Sequence, residues 1–185
     1  MSGESNKNNV FETPESRRSA IKRVGIGAAA LWVAPTVLSR TTAFAAASAP
    51  TAPTNLALAG FASQSSTFSV FGASRGNDGN TDCDFTNGSI FHTTNAAHAW
   101  WEVNLGAVHA LSSIEVFNRC DCCADRAQNL SVTVDGTPVG TIPGTVGLWV
   151  TASMPLNVSG QIVRVTNNSI TSQPLHLAEV RVFGL

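Results

Sequence analysis

The residues best suited to chemistry are two arginines that border a short cysteine-rich segment, Arg119 and Arg126. A guanidinium group donates hydrogen bonds and accepts none, so two arginines together with a histidine would form a donor cluster for the oxygens of a polyol. Asp121, two residues after Arg119, could hold that guanidinium in place and partly balance its charge. From spacing alone, the alternative is that Arg119 and Arg126 only pair with Asp121 and Asp125 at the surface.

The four cysteines give the same segment a covalent framework. Three of them lie within four residues, so at least one disulfide must be local, and we favour the pairs Cys122–Cys123 and Cys83–Cys120. A bridge between neighbours distorts the peptide between them, a strain tolerated mainly at functional sites. The alternatives are a zinc or copper site and a redox-active pair, but the C-x-x-C spacing typical of both is absent.

A second polar stretch, residues 74–82, carries many oxygen-bearing side chains between turn glycines. Calcium takes six to eight oxygen ligands, including backbone carbonyls, and would suit this stretch. An ordinary Asn/Asp/Gly turn explains the same composition.

The elements that position these residues are predicted to be strands. Apolar residues alternate with polar ones, as in Trp101, Val103 and Leu105, which favours core positions for these side chains over sugar stacking by Trp101. Turn signals at Asp135-Gly136, Pro143-Gly144, Ser159-Gly160 and Asn167-Asn168 separate the runs. Short strands with frequent turns predict an all-β jelly-roll sandwich, with Phe68 and Phe71 in the Ser/Thr/Gly-rich loop 63–76.

The first 45 residues predict an export signal rather than part of the fold. Basic residues around the pair Arg17-Arg18 precede an apolar run, Val24–Leu38, and Ala43-Phe44-Ala45 resembles a cleavage site. The paired arginines resemble a twin-arginine signal, whereas a membrane anchor would need a run of about 20 apolar residues. We therefore predict a signal peptide at 1–45, a flexible lead at 46–54 and one domain at 55–185, secreted or periplasmic.

Charge excludes two classes of partner. After residue 50 there are five arginines, no lysine and nine acidic residues, a net charge near −4. Nucleic acids and anionic membranes both require basic surfaces, so neither nucleic-acid binding nor membrane insertion is expected.

Several motifs in order resemble the F-type lectins, or fucolectins. Arg119-x-Asp121-x4-Arg126 enclosing Cys122-Cys123 is similar to their fucose-binding signature, and Gly88–His92 and Ala99–Leu105 resemble the segments upstream. The resemblance spans about residues 55–183. It implies the galactose-binding-like jelly roll that this family shares with discoidin domains.

The resemblance also implies roles for individual residues. His92, Arg119 and Arg126 would donate hydrogen bonds to α-L-fucose, with Asp121 as support, and the Cys122–Cys123 disulfide would contact its methyl group. A structural calcium ion would support the loop that presents His92. Its ligands would be the Arg75 carbonyl, Asp78, Asn80, Ser89 and Glu179.

This chain departs from the family in two places. Ile90 and Ala178 stand where a long-range disulfide is common, and the pair Cys83–Cys120 resembles its replacement. The loop 65–73 is shorter than in the eel lectin, so we assign Phe68 and Phe71 only as candidate sugar contacts.

The leading hypothesis is therefore a non-catalytic lectin for fucosylated glycans. A glycosidase would need two carboxyl groups flanking a sugar, but Asp121 and Asp125 are expected to pair with the neighbouring arginines. A discoidin-like adhesion domain without sugar binding is the other alternative. One site per chain means that agglutination would require a homo-oligomer.

Overall fold

The computed structural model describes residues 51–128, 130–142 and 151–185. The chain divides into two units, Met1–Ala46 and Ala47–Leu185, and the described residues belong to the second. The predicted signal peptide and most of the predicted lead lie outside the described residues. No helix in the described ranges is long and apolar enough to cross a membrane.

The alternating segments form antiparallel strands, which confirms the predicted all-β class. Within the described ranges the strands are β1 Thr54–Asn55, β2 Phe61–Gln64, β3 Phe91–His92, β4 Trp100–Phe117, β5 Leu130–Val134, β6 Thr137–Ile142, β7 Thr151–Thr166, β8 His176–Leu177 and β9 Glu179–Gly184. Short 3-10 helices occur at Leu56–Ala59, Ala73–Gly76, Phe85–Asn87 and Ala124–Ala127. β1 includes Thr54, so the predicted lead ends one residue earlier than expected: Thr54 pairs with Gly184 of β9.

Two long strands organise the sandwich. The main sheet runs β1-β9-β4-β7-β5-β6, and β2 pairs with the first half of β4. β4 shifts register between Asn104 and His109 and again between Leu111 and Ser113. Such irregularities let one strand bend and serve both layers of a sandwich. As a result, the first half of β4 pairs with β2 and β7, and the second half pairs with β7 and β9.

The inward side chains are those that the alternation predicted. Trp101 and Val103 are fully buried in one core cluster, together with Ile114, Val163 and Val180. The indole nitrogen of Trp101 donates to the carbonyl of Ala73 at 2.9 Å, so this ring also fixes the loop that precedes the site. The core placement of Trp101 is confirmed.

One predicted turn is wrong. Ser159-Gly160 lies inside β7, paired with Ala110 and His109 of β4. A Cβ atom at Gly160 would lie 2.1 Å from a methyl carbon of Val134, so this glycine permits close packing of the neighbouring side chain rather than a turn.

The candidate site is built from three connections of this scaffold. The loop after β4 carries both arginines, and β3 carries His92, which pairs with His176 of β8. The loop 65–73 reaches β3 through the Phe68 amide, which donates to the His92 carbonyl at 2.8 Å. A two-stranded ribbon and two loops therefore meet at one place.

Candidate functional site

A cavity of about 530 Å³ brings together the three nitrogen-bearing side chains that the sequence singled out. Its lining comprises Phe68, Phe85, His92, Thr93, Thr94, Asn95, Arg119, Arg126 and Pro174. Convergence of His92 with both arginines is the geometric requirement on which the predicted constellation depended.

Arg119 is fixed on two sides. Its Nε and Nη2 atoms donate to the two carboxylate oxygens of Asp121, each at 2.7 Å, and its guanidinium lies 4.3 Å from the centre of the Phe85 ring. The hydrogen bonds from Arg119 lower the pKa of Asp121 to about 2, so the pair is ionised at neutral pH. The predicted supporting role of Asp121 agrees with this geometry.

The disulfide Cys83–Cys120 explains why Phe85 lies beside Arg119. It joins the two loops, and the Cys120 amide donates to the Cys83 carbonyl at 3.0 Å. The Phe85 amide in turn donates to Asp121 at 3.3 Å. Because the sequence predicted this disulfide, the proximity of Phe85 to Arg119 could have been inferred from it.

Arg126 is held through its backbone. It lies in the 3-10 helix Ala124–Ala127. Two buried asparagine side chains hydrogen-bond to the backbone of this helix: Asn118 donates to the Ala124 carbonyl and Asn167 to the Arg126 carbonyl, both at 3.0 Å. The position of Arg126 is thus set by residues of two other loops.

Asp125 does not form the ion pair with a neighbouring arginine that was expected of it. In the described part of the chain it forms no ion pair with Arg119 or Arg126. Neighbouring side chains of a 3-10 helix project in different directions, which separates Asp125 from Arg126.

His92 is a buried, neutral imidazole. Burial lowers its pKa from 6.5, and the charges of Arg119 and Arg126 lower it further. Its Nδ1 atom lies 2.6 Å from the Thr93 carbonyl, which can only accept, so Nδ1 carries the proton. In this state Nε2 is an acceptor, whereas the family resemblance implies that His92 donates to the sugar.

A second histidine lies behind the first. The rings of His92 and His176 stack with centroids 5.1 Å apart, and His176 is only 1% exposed. Neither of its ring nitrogens has a hydrogen-bond partner among the described residues. Burial, reinforced by His92 and the arginines, lowers the pKa of His176 to about 3, so it is neutral too.

The two candidate aromatic contacts occupy different positions. Phe68 lines the cavity, is 47% exposed and lies 5.0 Å from the His92 ring. Phe71 packs behind Phe85, with ring centroids 4.3 Å apart, and the Arg75 guanidinium lies over it at 5.3 Å. The structure therefore places Phe68, not Phe71, where a ligand could reach it.

The second predicted disulfide, Cys122–Cys123, lies on the loop between the two arginines. Cys123 has φ 57°, a left-handed conformation that is uncommon for a residue other than glycine. Neither cysteine is among the described residues that line the cavity. Cys122 is exposed, on the loop between the two arginines that do line it.

Of the predicted calcium ligands, Glu179 lies against the segment that carries Asp78. This fully buried carboxylate accepts from the Gly79 amide at 3.2 Å, while its Oε2 atom has no partner among the described residues. Burial raises the pKa of Glu179 to about 7, and the nearby charge of Asp78 contributes. A buried carboxylate oxygen without a proton donor, in an oxygen-rich loop, fits a hard cation.

Other details of that loop are those of a polar turn. Asn80 donates its amide to Asp78 at 2.9 Å, and the Ser89 hydroxyl donates to the Asp82 carbonyl. Arg75 lies in the 3-10 helix Ala73–Gly76. Within the described ranges, no three His, Cys, Asp or Glu side chains converge as a metal site.

Sequence reasoning missed several residues of the cavity: Phe85, Thr93, Thr94, Asn95 and Pro174, together with His176 behind it. Most of these residues lie on segments without a sequence motif. Only Phe85 could have been found, from its position two residues after Cys83 of the predicted Cys83–Cys120 disulfide. The β3–β8 register places His176 opposite His92, and no local sequence pattern predicts this pairing.

The fold and the loops around this cavity define a galactose-binding-like β-sandwich domain. A family profile described as "NedA-like, galactose-binding domain" matches residues 75–173. A fucolectin of Anguilla anguilla is 31% identical over 120 residues, which cover 60% of this chain and 75% of that protein. Matches to the curated relatives span from 14% to 80% of those proteins. On these grounds the chain belongs to the F-type lectin, or fucolectin, family.

Solved structures agree with the assignment. A His 62 mutant of the lectin binding domain of Lectinolysin, complexed with Lewis b, superposes with a TM-score of 0.66 at 30% identity, covering 71% of this chain and 96% of that one. A Streptococcus pneumoniae fucose binding module gives 0.63 at 28% identity, covering 71% and 98%. These likenesses confirm the predicted sandwich fold.

Proposed function

We propose that this protein is a non-catalytic lectin that binds glycans bearing α-L-fucose through His92, Arg119 and Arg126. The observation that carries the proposal is the convergence of these three side chains on one cavity. Family membership and the names of the related fucolectins and fucose binding modules support it.

The chemistry of the cavity suits a sugar hydroxyl. A hydroxyl can donate to Nε2 of His92 and accept from a guanidinium at the same time, so one acceptor beside two donors can bind it in both roles. The exposed ring of Phe68, which lines the cavity, offers an apolar contact for a methyl group. Charged hydrogen bonds stabilise the complex by about 1.5–3 kcal/mol each, but ordering costs offset much of this, so we expect a Kd between about micromolar and millimolar.

Non-catalytic binding agrees with the carboxylates near the site. No Asp or Glu is among the described residues that line the cavity. Asp121 is held ionised by Arg119 and has its pKa lowered to about 2, so it is a poor proton donor. Glycoside hydrolysis would need a carboxylic acid with a raised pKa facing a second carboxylate.

The test is calorimetric titration with methyl α-L-fucoside. We expect Arg119→Ala and Arg126→Ala each to weaken binding at least about tenfold, since each removes a charged donor. Arg164→Ala is the matched control, because Arg164 lies over Trp100 outside the cavity. Unchanged affinity in both site variants, or no fucoside binding by the wild type, would contradict the proposal; the latter would favour an adhesion domain without sugar binding.

We further propose a structural calcium ion held by the Arg75 carbonyl, Asp78, Asn80, Ser89 and Glu179. Bound calcium would neutralise the buried carboxylate and join the loop 73–80 to β9. The support is the partnerless Oε2 atom of Glu179 described above.

Thermal unfolding tests the ion without reference to sugar. We expect calcium to raise the melting temperature of the wild type relative to a chelator, because an ion that binds only the folded state stabilises it. Glu179→Gln should abolish that rise, whereas Glu115→Gln, which alters a carboxylate paired with Arg181, should retain it. An equal rise in both variants would remove Glu179 from the ligand set.

We also propose that the protein is exported through its twin-arginine-like signal. All four cysteines form disulfides, which persist in oxidising compartments. Replacing Arg17 and Arg18 by lysine should retain the protein in the cell, as measured by immunoblotting of cell fractions.

A further inference from the structure

The free nitrogen of His92 is an acceptor in a cavity that also holds two guanidinium donors. Nδ1 of His92 lies 2.6 Å from the Thr93 carbonyl and keeps its proton there, so Nε2 carries a lone pair. Nε2 has no hydrogen-bond partner among the described residues and, unlike both ring nitrogens of His176, it is not fully enclosed. Because His92 lines the cavity, a ligand bound there can reach this nitrogen.

The charged groups that face His92 oppose a proton on its ring. The loop after β4 presents Arg126 and Arg119, the latter paired with Asp121, and the positive charges of both arginines lower the pKa of His92 in addition to its burial. No carboxylate is among the described residues that line the cavity. An imidazolium at His92 would therefore be a third cation beside two guanidinium groups.

The other elements packed against His92 present uncharged rings. His176 of β8 stacks on it with centroids 5.1 Å apart and has its pKa lowered to about 3, so His176 stays neutral while His92 titrates. The loop 65–73 contributes Phe68 and the 3-10 helix Phe85–Asn87 contributes Phe85, with ring centroids 5.0 and 5.7 Å from that of His92. None of these three rings can stabilise a charge on His92 by an ion pair.

Protonation of His92 would change what the cavity can bind. In the neutral state a sugar hydroxyl can donate to Nε2 while it accepts from an arginine. A proton on Nε2 removes the acceptor, so the same hydroxyl faces only donors. The neutral form of His92 is thus the form that binds, and it predominates at neutral pH because the pKa lies below 6.5.

We propose that His92 makes sugar binding acid-sensitive, so that the protein holds fucosylated glycans at neutral pH and releases them in acidic surroundings. This inference rests on the proposed fucose site. One proton competes with one sugar for the same nitrogen. The Kd should therefore be constant above about pH 7 and rise toward about tenfold per pH unit once the pH is below the pKa of His92.

Histidine NMR follows the proton directly in the full chain labelled with nitrogen-15. At neutral pH Nε2 of His92 should have the chemical shift of an unprotonated nitrogen. Saturating methyl α-L-fucoside should lower the pKa of His92, because the sugar binds the neutral form. The control is His109, which lies outside the cavity beside Leu185, and its ring shifts should not respond to the sugar. A pKa of His92 that does not change with sugar would overturn the proposal.

A matched pair of variants at Phe68 moves the pH of release. Phe68→Glu places a carboxylate beside the His92 ring, whereas Phe68→Gln has the same size without the charge. Both lose the aromatic contact, so only the shapes of their pH profiles are compared. Weakening of fucoside binding should begin about one pH unit higher in Phe68→Glu, since a nearby negative charge favours the imidazolium.

His92→Gln separates release from other effects of acid. Its side chain does not titrate, so its affinity is expected to be low but constant between about pH 5 and pH 8. The variant keeps His176 and Glu179, and acid weakening caused by either of these would persist in it. Calcium is held constant, and circular dichroism at each pH shows that every variant remains folded.

The outcomes separate the inference from the function on which it rests. If the wild type binds fucoside with a Kd that is constant down to about pH 5, or if both Phe68 variants give one profile, acid release is wrong and the lectin proposal stands. Weakening that coincides with loss of folded signal, or that persists in His92→Gln, overturns it equally. If the wild type binds no fucoside at any pH, both proposals are overturned.

Discussion

Arg119 shows how single residues prepare this site. Two of its nitrogens are used by Asp121, and one face of its guanidinium is covered by Phe85, which leaves Nη1 and one Nη2 proton for a ligand. A long side chain normally loses rotamer freedom on binding, and here that loss is incurred in folding. The arginine is therefore oriented before sugar arrives.

Replacing Phe85 tests this orientation. We expect Phe85→Leu to weaken fucoside binding about threefold to tenfold, because a ring beneath a guanidinium contributes about 0.5–2 kcal/mol. Trp100→Leu removes the ring under Arg164 and should leave affinity unchanged. Calorimetry gives the affinities, and thermal melts show whether each variant is folded. Equal affinities for Phe85→Leu and wild type would assign Phe85 to structure alone.

His176 gives the fold a pH dependence. Its pKa of about 3 lies below that of an unfolded histidine, near 6.5, so between these values the unfolded state binds a proton that the folded state does not. Stability from this group is therefore lost as pH falls below about 6.5. Glu179, with its raised pKa, acts in the opposite direction, so the two must be separated.

The variant His176→Leu separates the pH dependence of His176 from that of Glu179, because it removes the histidine and keeps the glutamate. We expect it to be at least as stable as wild type at pH 7, since it removes two buried nitrogens without partners. By about pH 4.5 the wild type should have lost about 2–3 kcal/mol relative to the variant. Urea denaturation at several pH values measures this difference, and parallel curves would show that His176 does not titrate as described.

At the scale of elements, the two disulfides have different tasks. Cys83–Cys120 spans 37 residues and joins separate loops, whereas Cys122–Cys123 spans one. Stabilisation by a cross-link grows with the loop that it closes, so the first bridge contributes mainly to stability. The second shapes only the loop between Arg119 and Arg126.

Paired serine variants should divide these roles. Cys83→Ser with Cys120→Ser should lower the free energy of unfolding by about 4 kcal/mol on the chain-entropy estimate. Cys122→Ser with Cys123→Ser should change stability by less than about 1 kcal/mol but weaken fucoside binding. Denaturation and calorimetry on both variants check the division, which fails if the effects are interchanged.

At the scale of the whole molecule, one cavity per chain holds the His92, Arg119 and Arg126 cluster in the described ranges. A chain with one weak site cannot cross-link two cells, and avidity arises only when sites are joined. Agglutination would therefore depend on assembly rather than on better contacts within one site.

Valency can be measured directly. Chains that sediment as monomers should bind fucoside in solution and should not agglutinate fucosylated red cells. The same chains, biotinylated and assembled on streptavidin, should agglutinate them, and free fucose should inhibit this. Agglutination by a sedimenting monomer would reveal a further binding site.

The sequence alone determined the parts of this protein that depend on local pattern. Period-two alternation placed Trp101, Val103 and Ile114 in the core, because one face of a strand is buried and the other is not. The cysteine spacing led to both disulfides, and Arg119 and Asp121 lie close enough in the chain to pair without help from the fold.

Only the tertiary structure decided the rest, since it depends on segments distant in sequence. The β3–β8 register placed His176 behind His92, and the side chain of Asn167, the residue after β7, fixed the backbone of Arg126. Ser159-Gly160 was predicted to be a turn from its composition. It lies within a strand, where close packing against Val134 requires a glycine. The neutral state of His92 likewise follows from burial and from the arginines opposite, because the charge of a group depends on surroundings that a linear pattern does not contain.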